Sequence, residues 1–417
     1  MACAAAQSRT TASPTSTKLV EIKVIGSQRF QPDELATATG LKLGDSGDEN
    51  ALKQAAERLA QSGMFANVTY SYTSEPKGIR AKYEVNDTDK LVPIHMDNFV
   101  WLAPVELVAE LRKREPLFRG EVPNAGEMYN KLADDMKSLL ADLQVAAAVR
   151  VMPEVPQNGG DVTGFLYTVE GVNLPIHSLK FAGVSGEMNG AFQKIAQSAL
   201  IGSNYSRSRV LTIATLDFLP QYRMRGFLKA AFDEPLATLA DRATGSVAIQ
   251  LPVNEGLQYK LSTLRWSGNS AFSADELTKA LKGKVRAPLN QVQLEEDLGD
   301  ISKVYGTRGY MEARLNPKFT FDDSGPSVTA DIQVQEGDQF HQGDVQFAGL
   351  SESAVAALRK LWKLHPGDVY DASYPNLFLQ DASRQFDLSQ MQIGLSRQAH
   401  RESKTVDVTF RFSRKAP

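Results

Sequence analysis

The chain has 417 residues, 42% of them hydrophobic, and its 46 Lys and Arg against 49 Asp and Glu leave a net charge of −3. This composition supports packed cores and argues against a wholly disordered chain, and the near-neutral charge gives no support to nucleic-acid binding through an overall positive field. A single cysteine excludes an internal disulfide framework, and no apolar run approaches the roughly 20 residues of a membrane-spanning helix.

The first seventeen residues, 1–17, are small and polar and have no hydrophobic periodicity, which predicts a flexible leader. Two alternatives stay open. The stretch Ala4–Gln7 matches the end of a secretory signal, although the basic start and apolar segment that precede such a site are missing. Cys3 allows a lipoprotein anchor, but only two residues precede it.

The elements that follow the leader are predicted in the order β-α-α-β-β. An apolar strand comes first, then a helix whose first turn tolerates Pro32, then a second amphipathic helix. A Gly-Met-Phe turn leads from that helix into two further strands. The predicted elements are a strand over 18–25, helices over 32–38 and 49–62, and strands over 66–72 and 79–85.

Two landmarks recur along the chain at the same spacing. Glu-Gly pairs begin at 170, 255 and 336, and after each comes a strand-like run that ends at Gly183, Gly268 or Gly349. Both series have intervals of 85 and 81 residues. Although about 150 residues per domain would predict two or three domains, this spacing predicts five smaller repeats after the leader. Their predicted bounds are 18–89, 90–173, 174–256, 257–337 and 338–417.

The fourth repeat shows this order most clearly. Ser273 and Glu276 have the spacing of a capping box, which opens a helix, and Gly283 is predicted to end that helix. The other predicted elements of this repeat are a strand over 261–266, a second helix over 294–305, a turn at 308–311 that leads into a strand ending near 317, and a closing strand over 327–335.

These marks resemble the POTRA (polypeptide-transport-associated) domain, and five repeats in series resemble the periplasmic arm of BamA-type outer-membrane assembly factors. The resemblance covers residues 18–417 and rests on four marks: a strand ending in glycine, a glycine step between the helices, a Gly-Phe or Gly-Tyr turn, and the Glu-Gly close. The steps and turns are Leu41–Gly44, Lys363–Gly367, Gly63–Phe65, Gly226–Phe227 and Gly309–Tyr310.

The resemblance implies an α+β fold in which each repeat is a three-stranded mixed sheet covered by two helices, arranged as an elongated rod. It also implies a periplasmic location, association with the outer membrane, and binding of unfolded outer-membrane polypeptides or accessory proteins. In that family the last repeat normally runs into a membrane barrel, whereas this sequence stops at Pro417. We therefore expect an excised arm or a stand-alone relative, and the barrel's insertion activity is not transferred.

By the same resemblance, the strand after the second helix is expected to form an exposed sheet edge. An extended peptide can pair there main chain to main chain, which ignores side-chain identity and suits many different clients. The predicted edges are 66–72, 227–232 and 311–315, with the candidate peptide-binding residues Val68, Tyr70, Tyr72, Phe227, Lys229, Ala231, Met311, Ala313 and Leu315. The alternative is that these strands are blocked or only structural, and Phe65, Phe227 and Tyr310 are expected to fill cores.

No motif favours catalysis, a metal or a cofactor. The five histidines lack ligand spacing, and the nucleophile elbow, the phosphate loop and the His-Glu-x-x-His motif do not occur. The stretch Asp45–Asn50 fails as a calcium loop, since Ala56 stands where an EF-hand needs glutamate; Asp48 is predicted to cap a helix instead. We expect no cofactor, no small-molecule substrate and no nucleic acid, and the basic patch 282–286 is interpreted as a helix end.

Three functions follow from these observations. The first is a non-enzymatic scaffold that binds client polypeptides or assembly partners. The second is a structural spacer that positions an outer-membrane barrel, or a partner carrying one, without touching clients. The third, an enzyme built on the repeats, has no positive support in the sequence.

Overall fold

The computed structural model describes residues 6–9, 17–156, 158–388 and 390–414. They form five small mixed sheets with helices, an α+β architecture, as expected. Most of the leader, 1–5 and 10–16, lies outside the described residues, so the flexible-leader, signal and lipid-anchor predictions are not tested there. Among the described residues, no helix combines the length and apolar character needed to cross a membrane.

The chain divides into two compact units. One comprises Met1–Ala214 with Phe232–Pro252, and the other comprises Thr215–Ala231 with Val253–Pro417. The first sheet and the second, with their helices, lie in the former unit, and the fourth and fifth lie in the latter.

The five sheets share one strand arrangement. The strand that closes each repeat is central; it pairs in parallel with the opening strand and antiparallel with the strand after the second helix. A tight turn suffices for the antiparallel pair, while the parallel pair needs a crossover, which the two helices provide. The β-α-α-β-β order predicted from the sequence is confirmed in this respect.

The first sheet carries one strand beyond this arrangement, which precedes the opening strand and pairs in parallel with the third. Asp48 caps the second helix as predicted, because its carboxylate accepts a hydrogen bond from the Ala51 amide. The elements are β1 (Ala6–Arg9), β2 (Leu19–Ile25), α1 (Pro32–Ala38), α2 (Glu49–Gln61), β3 (Phe65–Glu75) and β4 (Gly78–Asp87).

The second sheet also has an additional strand, a short one inserted between the helices. Its buried residues join those of the first sheet in one continuous hydrophobic cluster. The elements are β5 (Leu91–Met96), α3 (Pro104–Arg114), β6 (Glu121–Pro123), α4 (Met128–Asp142), β7 (Ala148–Glu154) and β8 (Gly164–Glu170).

In the third sheet, the second helix contains a π-helical turn over Ala214–Phe218. Pro220 follows directly, and a proline deprives a helix of one backbone donor, which accounts for an irregular ladder at this point. The elements are β9 (Ile176–Ala182), α5 (Gly186–Ala199), α6 (Arg207–Ile213), α7 (Leu219–Arg223), β10 (Ala231–Phe232), β11 (Leu236–Asp241) and β12 (Ser246–Asn254).

The fourth sheet confirms the capping box: the Ser273 hydroxyl accepts from the Glu276 amide, and the Glu276 carboxylate accepts from the Ser273 amide. The predicted end of this helix at Gly283 was wrong. The helix ends at Ala280 because Leu281 is extended. The elements are β13 (Lys260–Ser267), α8 (Ala274–Ala280), α9 (Gln291–Thr307), β14 (Arg314–Asp322) and β15 (Ser327–Gln335).

Three of the opening strands are followed by a glycine at which the chain passes close to the central strand. Gly268 has a φ of +77°, and a Cβ there would collide with the carbonyl oxygen of Val334. Gly26 and Gly349 meet the carbonyls of Val85 and Phe412 in the same way. This recurrent approach explains why the landmark has a fixed place in the repeat.

The fifth sheet is packed around aromatic rings. The ring of Phe410 is completely buried and stacks on Phe347 at 5.3 Å, with Trp362 and Phe378 within 5.7 Å. The elements are β16 (His341–Ala348), α10 (Glu352–Leu361), α11 (Tyr374–Gln385), β17 (Met391–His400) and β18 (Thr405–Arg414).

Removing that central ring tests the packing of the fifth sheet. We expect Phe410→Ala to lower its free energy of unfolding by about 3–5 kcal/mol, since the substitution removes buried contacts and leaves a cavity. The matched control is Leu377→Ala, at a side chain that is 49% exposed, where a change within about 0.5 kcal/mol is expected. Urea unfolding followed by tryptophan fluorescence measures both, and equal midpoints would contradict the assignment of this core.

Candidate functional site

The predicted edge residues of the first repeat lie in β3, on the far side of β4 from the opening strand. Val68 and Tyr70 are each only 5% exposed, and Tyr72 is half-buried. The Tyr70 ring stacks on Tyr83 at 6.1 Å, and burial raises the pKa of its hydroxyl. These side chains therefore belong to the core, and what β3 offers at the edge is its backbone.

In the third and fourth repeats the predicted edge strands begin too early. Phe227 and Lys229 lie in turns, and Ala231 belongs to the two-residue strand β10. Met311 and Ala313 precede β14, which contains Leu315.

The edge strand that the sequence analysis missed is β11, which lies at one end of the third sheet. Leu236, Thr238 and Ala240 are exposed, and Ala237 and Leu239 between them are half-buried. The sequence Leu-Ala-Thr-Leu-Ala-Asp itself lacks an apolar-polar alternation, so no period-two signal marked this strand.

The misassigned turns connect one repeat to the next, and we call such a contact a joint. The Gly226 carbonyl accepts a hydrogen bond from the Tyr259 amide at 2.8 Å. The side-chain amide of Gln258 donates to the Arg225 carbonyl at 2.9 Å. The third and fourth repeats are thus joined through main-chain groups.

The joint between the fourth and fifth repeats has the same pattern. The Gly309 carbonyl accepts from the Phe340 amide at 2.9 Å, and the Gln339 side chain donates to the Arg308 carbonyl at 3.0 Å. Gly309 has a φ of +83°, and a Cβ there would lie 2.6 Å from the Phe340 carbonyl oxygen. The Gly-aromatic turn therefore marks a joint as well as a helix end.

Lys229 reinforces the joint to the fourth repeat. Its ammonium group donates to both carboxylate oxygens of Asp323, at 2.8 and 2.9 Å, and lies 4.9 Å from the Phe321 ring centre. The Tyr259 hydroxyl donates to the same carboxylate at 2.6 Å. These hydrogen bonds, chiefly that from Lys229, hold the pKa of Asp323 below its usual range. Lys229 is thus occupied within the joint.

Met311 has a comparable place in the next joint, since its side chain packs against the core cluster of the fifth repeat. Beside it, Arg401 donates two hydrogen bonds to the Glu312 carboxylate, at 2.7 and 3.0 Å. Residues predicted to meet clients therefore contact the following repeat in both cases.

The two earlier joints use other groups. In the first joint, the Glu127 amide donates a hydrogen bond to the Gln61 carbonyl. The Glu34 carboxylate forms ion pairs with Arg112 and Arg119, at 2.8 and 2.7 Å.

In the second, the Asp97 carboxylate accepts from the Ser208 amide and the Ser206 hydroxyl, at the start of α6. No sequence motif pointed to these residues.

The outer strands differ in how well they could accept another strand. β7 contains Pro153 and β14 contains Pro317, paired with Phe165 and Ile332 in their ladders. A proline inside a ladder must turn its nitrogen away from its partner, so the outward edge lacks a donor there. β3, β11 and β17 contain no proline. Proline interrupts none of their donors, and we call these three the open edges, although β1 pairs with the Tyr70–Thr73 part of β3.

A metal centre is absent from the part of the chain that the structure describes. No group of three or more His, Cys, Asp or Glu residues there could hold a metal ion.

Comparison with known proteins identifies the class of domain. The POTRA family model, described as a surface antigen variable number repeat, matches residues 259–337, which is the fourth repeat. The outer membrane protein assembly factor BamA of Neisseria meningitidis serogroup B is 25% identical over 247 residues, 56% of this chain. A relative from Treponema pallidum is 24% identical over 259 residues. The chain spans 31% of the length of each.

Among solved structures, POTRA3-5 of Haemophilus influenzae BamA matches with a TM-score of 0.42 and 21% identity, covering 57% of this chain and 95% of that one. The family match and the relatives together show that the chain resembles the POTRA arm of BamA-type assembly factors. The resemblance expected from the sequence is confirmed.

A substitution at a joint glycine tests the joint directly. In Gly309→Ala we expect the Phe340 amide to exchange with solvent at least fivefold faster, because the new Cβ pushes away its acceptor at a cost of about 1 kcal/mol. The control is Gly367→Ala, where φ is +93° and a Cβ meets nothing within 4 Å. NMR-detected hydrogen exchange separates the two, and identical rates for Phe340 would show that the contact does not hold the joint.

The ion pair at Lys229 predicts a titration. In Lys229→Met the Asp323 pKa should rise toward its ordinary value of about 3.9, because the main hydrogen bond to the carboxylate is lost. Because the pKa of Asp323 is lower in the folded protein than in the unfolded chain, the ion pair stabilises the joint at pH values above the unfolded-state pKa. This stabilisation is lost as the pH falls through the folded-state pKa. Carboxyl-carbon NMR measures the shift. Lys303→Met, which removes the partner of Asp300, should leave Asp323 unchanged; an unshifted Asp323 in Lys229→Met would refute the pairing.

Proposed function

We propose that the chain is a non-enzymatic periplasmic scaffold of outer-membrane protein assembly, which holds unfolded outer-membrane polypeptides or accessory proteins at its open edges. Each sheet with its helices is then one POTRA-like domain, with the bounds 18–89, 90–173, 174–256, 257–337 and 338–417. The observation that carries the proposal is that proline interrupts the backbone donors of β7 and β14 but not those of β3, β11 and β17.

Backbone pairing at an edge gives the affinity such a scaffold needs. About five hydrogen bonds at a net ~1 kcal/mol each contribute about 5 kcal/mol, and the cost of ordering an extended peptide reduces this sum. One edge then binds at best around millimolar concentration. Two or three open edges on one chain raise the effective affinity through linkage, so holding is weak at each edge and readily reversed.

Of the open edges, β11 and β17 are the preferred sites. Each lies at the end of its sheet order, and no other described strand pairs with its outer side. β11 also contains no lysine, a residue that commonly protects an edge from pairing. The candidate residues Val68, Tyr70 and Tyr72 remain a proposal for backbone contact through β3.

A structural spacer is the alternative, and the joints favour it. Two successive joints combine main-chain hydrogen bonds with an ion pair, Lys229 with Asp323 and Arg401 with Glu312. Such joints suit a chain whose task is to hold an outer-membrane partner at a set position. A spacer of this kind needs no open edge.

Peptide titration distinguishes the two functions. The probe is a ten-residue strand of alternating Val and Thr, and the control is the same peptide with alternate backbone nitrogens methylated. We expect the normal peptide at millimolar concentration to protect amides of β11 and β17 from hydrogen exchange, and β14 to remain unprotected. No protection, or equal protection by the methylated peptide, would favour the spacer.

A gain-of-function variant completes this test. Pro317→Val restores the missing outward donor of β14 without altering the ladder to β15, so peptide protection should appear along β14. Asn316→Val, a neighbouring substitution that leaves the proline in place, is the matched control and should bind no more peptide than the unmodified chain. Protection in both variants or in neither would contradict the role assigned to the proline.

A further inference from the structure

The outer side of β3 is already occupied by the chain itself. β1 runs parallel to β3 with Ala6 opposite Tyr70 and Arg9 opposite Thr73. The first sheet thus has the order β1-β3-β4-β2, with β4 still central. Unlike the other strands of this sheet, β1 precedes the opening strand and lies outside the β-α-α-β-β order.

We infer that the N-terminal segment Ala6–Arg9 is a built-in competitor for the β3 edge, which an incoming extended polypeptide must displace. This inference rests on the proposed strand-accepting role of the open edges. It makes the first repeat differ from the third and fifth, whose open edges meet no competing strand among the described residues.

The pairing covers only part of the edge. β1 has four residues, whereas β3 has 11, and the pairing engages Tyr70–Thr73. Among the described residues, no strand pairs with the part of β3 before Tyr70 on that side. An incoming strand can therefore pair first with the uncovered part and then replace β1 residue by residue, and parallel pairs are slightly less stable than antiparallel ones.

The segment competes well despite its short length because it is tethered. The chain is anchored immediately before β2, where Lys18 pairs with Ser46 and the Leu19 amide donates to the Asp45 carbonyl at 2.9 Å. Tethering turns the pairing into an intramolecular event, with an effective concentration in the millimolar range. That range matches the affinity expected of a single edge, so the free and occupied states are both populated.

Hydrogen exchange tests the occupancy without any client. In the variant Gln7→Pro/Ser8→Pro, one of the two adjacent prolines must remove a donor that faces β3, since donors alternate along a strand. We expect outward amides within Tyr70–Thr73 to exchange about three- to tenfold faster than in the unmodified chain. The control Gln7→Ala/Ser8→Ala keeps both donors and should exchange like the unmodified chain. Unchanged exchange in the proline variant would overturn the inference.

Peptide binding then tests the competition. The Val-Thr probe should bind the β3 edge about two- to tenfold more tightly in the proline variant than in the alanine control, because the competent fraction of the edge increases. Faster exchange with an unchanged affinity at β3 would overturn the competition. Faster exchange with no peptide binding at any edge would instead refute the proposed scaffold function and leave the occupancy of β3 standing. Failure of the competition at β3 and failure of the scaffold function therefore give different experimental results.

Discussion

A hydrogen bond between main-chain groups recurs at two of the joints: a glycine carbonyl after the second helix of one repeat accepts the amide of an aromatic residue near the start of the next. Gly226 and Tyr259 form it once, and Gly309 and Phe340 form it again. The bond needs a close backbone approach that a Cβ would obstruct, which is why the Gly-aromatic turn recurs. Ion pairs and packing at the joints are built around this contact.

The stretch of chain after the second helix of a repeat can form either a joint or the outer strand of the sheet. A residue after the second helix that takes part in a joint cannot also belong to the outer strand of the sheet. Lys229 and Met311 contact the following repeat. The strand that pairs with the central strand therefore begins several residues later. The outer strands differ in what limits further strand pairing. Proline interrupts β7 and β14, β1 covers part of β3, and β11 and β17 are left open. The outer strands of the five sheets are therefore not equivalent as edges.

The spacing of the repeats, the order of the elements and the helix caps could be predicted from the sequence. Each of them depends on neighbouring residues or on a backbone geometry that recurs in the repeats. Ser273 and Glu276 are three residues apart, and their capping box forms within one helical turn. The glycine landmark recurs because Gly26, Gly268 and Gly349 each pass close to a carbonyl of their own central strand. The edge strands were predicted less well, since the turn after Gly226 has the composition of a strand but is held in place by the next repeat.

What the sequence by itself determined is therefore the recurring β-α-α-β-β order, its landmarks and its resemblance to POTRA domains. Only the tertiary structure decided which groups meet between repeats and at the edges. Lys229 and Asp323 are 94 residues apart, and Asp97 and Ser208 are 111 apart, so no local pattern links them. The pairing of β1 with β3 is a parallel ladder of backbone groups. Because every residue has the same backbone groups, the side-chain pattern of the sequence does not predict this contact.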